Sequence, residues 1–149
     1  MKEIDFTTVP VSFRLCFNSQ CPMSDRCLHY QTGLQLPPAR TAGEAVYPNA
    51  LSDGQCHYFR EAAEQQMAWG FSMLYEPLKR YFRGEARESV KQYLGSNGTY
   101  YRYHHGERRL TTAQQEQILR ILQQYGHPGP LVFDHHEPGY DFGVGPASE

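Results

Sequence analysis

Apolar residues recur at α-helical spacing in the last third of the chain. Thr111 and Gln114 stand three residues apart, the spacing at which a capping box joins two side chains to the backbone at a helix start. The apolar residues that follow on one helical face are Ile118, Ile121, Leu122 and Tyr125. Gly126 suits the position after a helix end. The pattern predicts an amphipathic helix between Thr111 and Gly126.

A second helical pattern lies earlier in the chain. The apolar residues that share its face are Ala86, Val90, Tyr93 and Leu94. Gly95 follows at once and is suited to end the helix. Upstream, Pro77 suits the first turn of a separate short helix that Gly84 would end. We therefore expect two consecutive helices in this part of the chain.

Strand patterns are shorter and less regular. Residues 58–60 and 67–71 flank a polar stretch and are compatible with a hairpin, although helical spacing across residues 62–67 is nearly as good. The other expected strands are 99–103, 108–110 and 131–133, the first two joined by a turn at Gly106. Strands and helices alternate without a βαβ rhythm, which favours the α+β class.

The chain is expected to form one small domain over residues 1–149, with two to four helices and short antiparallel strands. Residues 1–57 are a turn-rich, Cys-containing loop region that we interpret as a metal-binding segment. Residues 58–141 form the α+β body, and residues 142–149 a flexible tail.

Composition and charge narrow the function classes. The net charge of −2 provides no overall field for nucleic acid or anionic membrane, so such a partner would have to meet a local patch. No apolar run approaches the length of a membrane span. The acidic start of the chain lacks the features of a signal peptide. A cytoplasmic, reducing location is therefore expected, where grouped cysteines are more often ligands or catalysts than disulfides.

The four cysteines are the strongest chemical signal. Cys16, Cys21 and Cys27 lie within a dozen residues, and Cys56 follows much later. Four thiolates complete the coordination of tetrahedral zinc or of an iron–sulfur cluster. We predict a structural zinc site, with an iron–sulfur cluster as the alternative. In the remaining interpretation there is no metal, and Cys16 and Cys56 are ordinary buried thiols.

Two local features bear on this site. Ser24 is expected to cap a short helix over residues 25–30, with Cys27 in its first turn, where the helix dipole would stabilise a thiolate. His29 or His57 could replace a cysteine as ligand. Because His57 is adjacent to Cys56, the two would rarely reach one ion, so the histidines rank second.

The segment Cys21-Pro-Met-Ser-Asp-Arg-Cys27-Leu resembles part of the cysteine motif of WhiB-like iron–sulfur regulators. Only these eight residues match. The spacing to the preceding cysteine differs, the fourth cysteine is downstream, and that family's basic tail has no counterpart. The resemblance implies a cluster as an option and transfers no function.

Four other segments resemble a family of small uncharacterised proteins of gut Bacteroidales. They are Cys56-His-Tyr-Phe-Arg60, Ala68-Trp-Gly-Phe71, Tyr100-Tyr-Arg-Tyr-His-His-Gly-Glu-Arg108 and Phe133-Asp134. The resemblance extends from Cys16 to Asp141. It implies a bacterial, cytoplasmic protein and no catalytic activity, substrate or partner.

Cationic and aromatic residues are concentrated between Leu78 and Arg109. Eight cations and three acids give this stretch a net charge of +5. Cations that meet phosphate beside rings that stack on bases are typical of nucleic-acid surfaces. The candidate residues are Arg83, Arg87, Lys91, Tyr101, Arg102, Arg108 and Arg109. The alternative is a solvated structural face in which Arg and Tyr stack on each other.

The C-terminal region contains a third candidate. Asp134, His135 and Glu137, with Asp141 nearby, have the residue types of a metal-dependent hydrolase. Neighbouring strand residues point to opposite faces, which weakens such a chelate. No phosphate loop or serine elbow occurs.

The leading hypothesis is a metal-stabilised domain that binds a protein partner without catalysis. The alternative is a nucleic-acid-binding regulator, which would sense redox state if the metal centre is an iron–sulfur cluster.

Overall fold

The structure is a computed structural model that describes residues 3–146. The chain divides into two compact units, with the boundary between Glu64 and Gln65. Four α-helices and short, mostly antiparallel strands confirm the α+β prediction. The prediction of a single domain stays a prediction. Within residues 3–146, no helix has both the length and the apolar character needed to span a bilayer.

The first unit is built around one short helix. Strand β1 (Leu15–Cys16) pairs in parallel with β2 (Ala45–Val46), an exception to the antiparallel pairs predicted from the sequence. Helix α1 (Leu28–Leu34) packs on β1 so closely that a Cβ atom at Gly33 would lie 2.5 Å from the carbonyl oxygen of Cys16. Only glycine permits this approach. The buried apolar residues of the unit include Ile4, Val9, Phe13, Leu15, Leu28 and Val46.

A tight hairpin ends the first unit. Strands β3 (Leu51–Ser52) and β4 (Gln55–Cys56) are antiparallel, and both turn residues, Asp53 and Gly54, have positive φ. An Asp-Gly turn of this kind matches the twist of a two-residue hairpin. Cys27 then forms a bridge with Glu61. The hairpin and the bridge bring the end of the unit back to α1.

The second unit combines a two-stranded sheet with three helices. Strand β5 (Gln65–Trp69) is antiparallel to β6 (His135–Gly139). The helices are α2 (Arg80–Leu94), α3 (Asn97–His105) and α4 (Thr112–Gln123). Their shared core is apolar and aromatic, and includes Ala68, Phe71, Leu74, Val90, Tyr103, Ile118 and Leu122.

Two predicted helices are confirmed. The capping box of Thr111 and Gln114 is present at the start of α4, and Ile118 and Leu122 are fully buried. The predicted face of α2 is buried at Ala86, Val90 and Leu94, and Gly95 follows the helix end. Both helices could be predicted from the spacing of apolar residues because each helix packs a single apolar stripe on the core.

The predicted hairpin over residues 99–103 and 108–110 is wrong. Residues 99–103 lie inside α3, whose N-cap Ser96 accepts a hydrogen bond from the Thr99 backbone N–H at 3.1 Å. Gly106 has the left-handed conformation that ends the helix. Tyr100 and Tyr103, one helical turn apart, point into the core. Capping and packing therefore override the β-propensity of the threonine and tyrosines.

Other predicted boundaries also need correction. Helix α2 begins at Arg80 and continues through Gly84, so Pro77 precedes the helix and Gly84 does not end it. Residues 58–60 are not a strand, and residues 62–67 are not a helix; β5 instead takes β6 as its partner. Residues 131–133 do not form a strand, and the last strand of the described chain is β6. Pairing between distant segments is not visible in local patterns.

The predicted tail is partly described. The Gln114 side-chain amide donates hydrogen bonds to the carbonyl oxygens of Val144 and Pro146, at 2.9 and 3.1 Å. Residues 147–149 lie outside the described residues. The flexibility of residues 142–149 stays a prediction.

Candidate functional site

Each cysteine is held by a different local structure. Cys16 ends β1, and Cys21 lies in the turn that follows. Cys27 is the N-cap residue of α1, and Cys56 ends β4. The prediction that Cys27 lies in the first turn of a helix over residues 25–30 is therefore wrong: a 3-10 turn (Ser24–Arg26) precedes Cys27, and the α-helix begins after it.

All four cysteines line one small cavity of the first unit. Its volume is about 20 Å³, and Met23, Val46 and Phe59 contribute apolar walls. Cys27 is buried and the other three are half-buried. All four are free thiols, so no disulfide accounts for their grouping. The fold thus places cysteines from four separate segments around one cavity, and their role as a ligand set stays a prediction.

The electrostatics of Cys16 reflects this grouping. Burial raises the pKa of the Cys16 thiol, and a backbone hydrogen bond with Asn18 lowers it in part. Cys27, Cys21 and Cys56 each raise that pKa further, because neighbouring thiolates would repel one another. The cysteine side chains are spread apart around the cavity. Within residues 3–146, no three Cys, His, Asp or Glu side chains are arranged closely enough to hold a metal ion.

The two candidate histidine ligands are placed differently. His29 lines the cysteine cavity, but its Nδ1–H donates to the carbonyl oxygen of Arg14 and its ring stacks on Phe13 at 4.4 Å between centroids. Burial lowers the pKa of His29, which favours the neutral imidazole. His57 is exposed and packs edge-on against Tyr58. Neither arrangement favours a histidine over a cysteine.

The predicted basic and aromatic surface is divided between two places in the second unit. Arg83, Arg87 and Lys91 lie at successive i, i+4 positions of α2, so they share one helical face. Lys91 lies 5.6 Å from the ring centroid of Tyr101 and forms an ion pair with Glu88 at 3.5 Å. These candidates for nucleic-acid contact therefore lie close to one another in the structure.

The remaining three cations lie elsewhere. Arg109 stacks on Trp69 and pairs with Glu137. Burial raises the pKa of Tyr103, and the adjacent Arg108 offsets part of that increase. Arg102 is exposed on α3. Since α3 replaces the expected hairpin, these residues do not lie together on a basic hairpin.

A cleft of about 320 Å³ adjoins the α2 face that carries Arg83 and Arg87. Tyr101 also lines the cleft, together with residues that the sequence analysis did not select: Phe71, Ser72, Tyr75, Glu76, Tyr100 and His104. The i, i+4 spacing of the two arginines was visible in the sequence. Their aromatic neighbours could be found only once residues 99–103 were known to be helical.

The proposed hydrolase residues have structural partners. Asp134 accepts a hydrogen bond from the Ser72 backbone N–H at 3.2 Å, and His135 stacks on Trp69 at 5.2 Å. Glu137 forms an ion pair with Arg109. Each side chain is therefore explained by packing around β5 and β6.

The comparisons with known proteins assign a family without an activity. No curated protein and no solved structure matches the chain. The model of a family of unknown function, DUF6078, matches residues 1–142. This agrees with the prediction of an uncharacterised family; the Bacteroidales origin and the WhiB-like resemblance stay predictions. Because the match covers nearly all of the sequence, the chain belongs to the DUF6078 family.

Proposed function

We propose that the first unit is a metal-stabilised binding domain without catalytic activity, in which Cys16, Cys21, Cys27 and Cys56 hold one zinc ion. The observation that carries the proposal is the convergence of all four cysteines on one cavity. A pair of thiols meets often in a buried core. Four thiols from separate structures, none of them oxidised, have the composition of a complete tetrahedral ligand set.

The zinc site would require the sulfur atoms to close on the ion. Zinc–sulfur bonds are about 2.3 Å long. Each cysteine has a single side-chain torsion, so rotation about χ1 moves its sulfur while the backbone stays in place. Ligands commonly lack their final arrangement without the ion, because metal binding and folding are coupled. Zinc would supply cross-linking and charge neutralisation here.

The size of the cavity favours zinc over an iron–sulfur cluster. Its volume of about 20 Å³ is close to that of one water-sized sphere. A single ion fits such a space after a small closure of the thiolates. A cluster of several iron and sulfide atoms would require the walls, including buried Val46, to move apart.

Metal analysis with a cysteine variant tests the proposal. Protein purified without oxygen is expected to contain one zinc per chain and to be colourless. Cys21→Ser should lose the zinc and lower Tm by roughly 10 °C or more, since a structural site contributes several kcal/mol to folding. Ser19→Ala, an exposed position in the same loop, is the matched control and should change neither quantity.

Two results would count against zinc. Iron with acid-labile sulfide would assign a cluster to the same residues. If serine at each of the four positions left both metal content and Tm unchanged, the cysteines would be ordinary thiols and the proposal would fail.

The partner of such a domain is expected to be a protein. Nucleic-acid binding through α2 stays a prediction, which a titration at two salt concentrations tests.

A further inference from the structure

The cleft of the second unit carries a positive charge that its own residues do not neutralise. Arg83 is fixed: its Nε donates to the Leu78 carbonyl oxygen at 3.1 Å and its Nη2 to that of Glu76 at 3.0 Å. The Glu76 carboxylate lies 3.8 Å from Arg83 and is largely exposed, so it compensates this one cation only weakly.

Arg87 has no such compensation. Its guanidinium lies 4.9 Å from the centroid of the buried Tyr75 ring, and no carboxylate of residues 3–146 forms an ion pair with it. Stacking on Tyr75 orients the planar group, and a hydrogen bond to the Tyr100 hydroxyl engages one part of it. The guanidinium has five N–H donors, so others stay available to a ligand. An Arg held in this way is suited to bind a phosphate or a carboxylate in a bidentate manner.

The other polar groups of the cleft are also suited to an anion. His104 Nδ1 accepts the Phe71 backbone N–H at 2.9 Å, so the ring proton is on Nε2 and is available to donate. The hydroxyls of Tyr75 and Tyr100 lie 3.0 Å apart, so one of them donates to the other, and Arg87 interacts with the Tyr100 hydroxyl. Among the charged side chains that line the cleft, two guanidinium groups face one carboxylate, that of Glu76.

An aromatic face accompanies these donors. Tyr101 is 41% exposed although its ring packs edge-on against Tyr100, 5.2 Å between centroids, and also contacts Lys91 and His105. These contacts fix the ring, and the exposed part of a fixed ring is a platform on which a planar group can stack. The volume of about 320 Å³ is at the lower end of the range for small-molecule sites.

We propose that this cleft binds a small ligand in which one anionic group, a phosphate or a carboxylate, is attached to a planar ring. Arg87 and His104 hold the anion, Arg83 contributes charge, and Tyr101 stacks on the ring. The required chemistry is that of a nucleoside monophosphate or an aromatic acid. This assignment is independent of the cysteines and of any metal.

Calorimetric titration of the full chain tests the assignment with defined probes. Adenosine 5′-monophosphate represents the phosphate source, and 4-hydroxybenzoate the carboxylate source. At least one of them should bind with a Kd below roughly 1 mM, an affinity within reach of a few charge-assisted hydrogen bonds and one stacked ring. Adenosine, which lacks the anion, and inorganic phosphate, which lacks the ring, should each bind about tenfold more weakly or worse.

Variants identify the site. Arg87→Gln should weaken binding of the preferred probe by about tenfold or more, and Tyr101→Ala by about fivefold or more. Arg80→Gln is the matched control, because Arg80 is exposed on the same helix and does not line the cleft. Tyr101→Ala keeps the test valid should Arg87→Gln disturb folding. In the unaltered protein, the His104 ring signals should shift in NMR spectra as the probe is added.

Three results would overturn the proposal. One is a Kd above roughly 1 mM for both ring-bearing anions, an affinity too weak for a dedicated site. Another is an equal effect of Arg80→Gln and Arg87→Gln. The third is binding of a single-stranded oligonucleotide without terminal phosphates while neither small anion binds, which would reassign the surface to nucleic acid.

Discussion

The guanidinium group of Arg109 lies 4.3 Å from the ring centroid of Trp69. The same guanidinium pairs with the Glu137 carboxylate at 2.6 Å, across the sheet formed by β5 and β6. A cation between a ring and a carboxylate stabilises the fold locally. Arg109 was a candidate for nucleic-acid contact, and this geometry gives it a structural role.

Removal of this cation should reduce stability. Arg109→Ala is expected to lower the free energy of unfolding by about 1 kcal/mol, because the cation–π contact and a partly exposed ion pair each contribute less than that. Urea denaturation followed by Trp69 fluorescence measures the change. Arg102→Ala, at an exposed position, should stay within about 0.5 kcal/mol. An equal loss in both variants would contradict the structural role of Arg109.

The helical nature of residues 97–105 can be tested at Ser96. Ser96→Ala removes the side-chain oxygen that accepts the Thr99 N–H and should cost about 1 kcal/mol of unfolding free energy. Ser96→Asp keeps an acceptor and adds a favourable charge at the helix start, so it should cost little. Equal stability of the two variants in thermal denaturation would argue against this helix.

Two glycines should respond to alanine in opposite ways. Gly106 has a φ of 84°, and a Cβ atom there would lie 2.6 Å from Nε1 of Trp69. Gly106→Ala should therefore destabilise the protein by about 1–3 kcal/mol. Gly84 lies inside α2, where a Cβ meets no atom within 4 Å, so Gly84→Ala should stabilise by about 0.5–1 kcal/mol. Differential scanning calorimetry would show Tm shifts of opposite sign, and shifts of the same sign would contradict this arrangement.

Stability should fall in mild acid because of His127. Burial lowers the pKa of His127, and its Nδ1 accepts the Gly129 backbone N–H at 2.8 Å, a bond that protonation would break. The unfolded chain takes up this proton near pH 6.5, before the folded chain does, so stability decreases as the pH falls through that value. The contribution is at most about 1.4 kcal/mol for each pH unit below it.

Urea denaturation at pH 7.5 and at pH 5.5 measures this effect. The loss of stability between the two pH values should be smaller in His127→Gln, which has no group that titrates there. His105→Gln, at an exposed position, should keep the loss of the unaltered protein. If His127→Gln showed an unchanged pH dependence, other groups would be responsible.

Local signals in the sequence were sufficient for some elements of the fold. The capping box at Thr111 and the apolar stripes of α2 and α4 are properties of consecutive residues, so they can be found without coordinates. The four cysteines were selected by residue type and by the expected compartment. The structure places all four around one cavity.

The errors have a common physical origin. Residues 99–103 have the β-branched and aromatic composition of a strand, yet Ser96, Gly106 and the burial of Tyr100 make them helical. The strand β5 has its partner at β6, about seventy residues away in the sequence, which no local pattern indicates. Hydrogen bonding between distant segments is decided by which faces can be buried together.

The sequence by itself determined the α+β class and the two amphipathic helices, because these depend on composition and short-range spacing. Only the tertiary structure decided which cations are engaged in packing and which line a cleft. In the sequence, Arg87 and Arg109 were candidates of the same kind for nucleic-acid contact. In the structure, Arg87 stacks on Tyr75 beside the cleft, and Arg109 is held between Trp69 and Glu137. That difference arises from contacts between residues far apart in the chain, because such contacts determine which side chains are buried and which charges are paired.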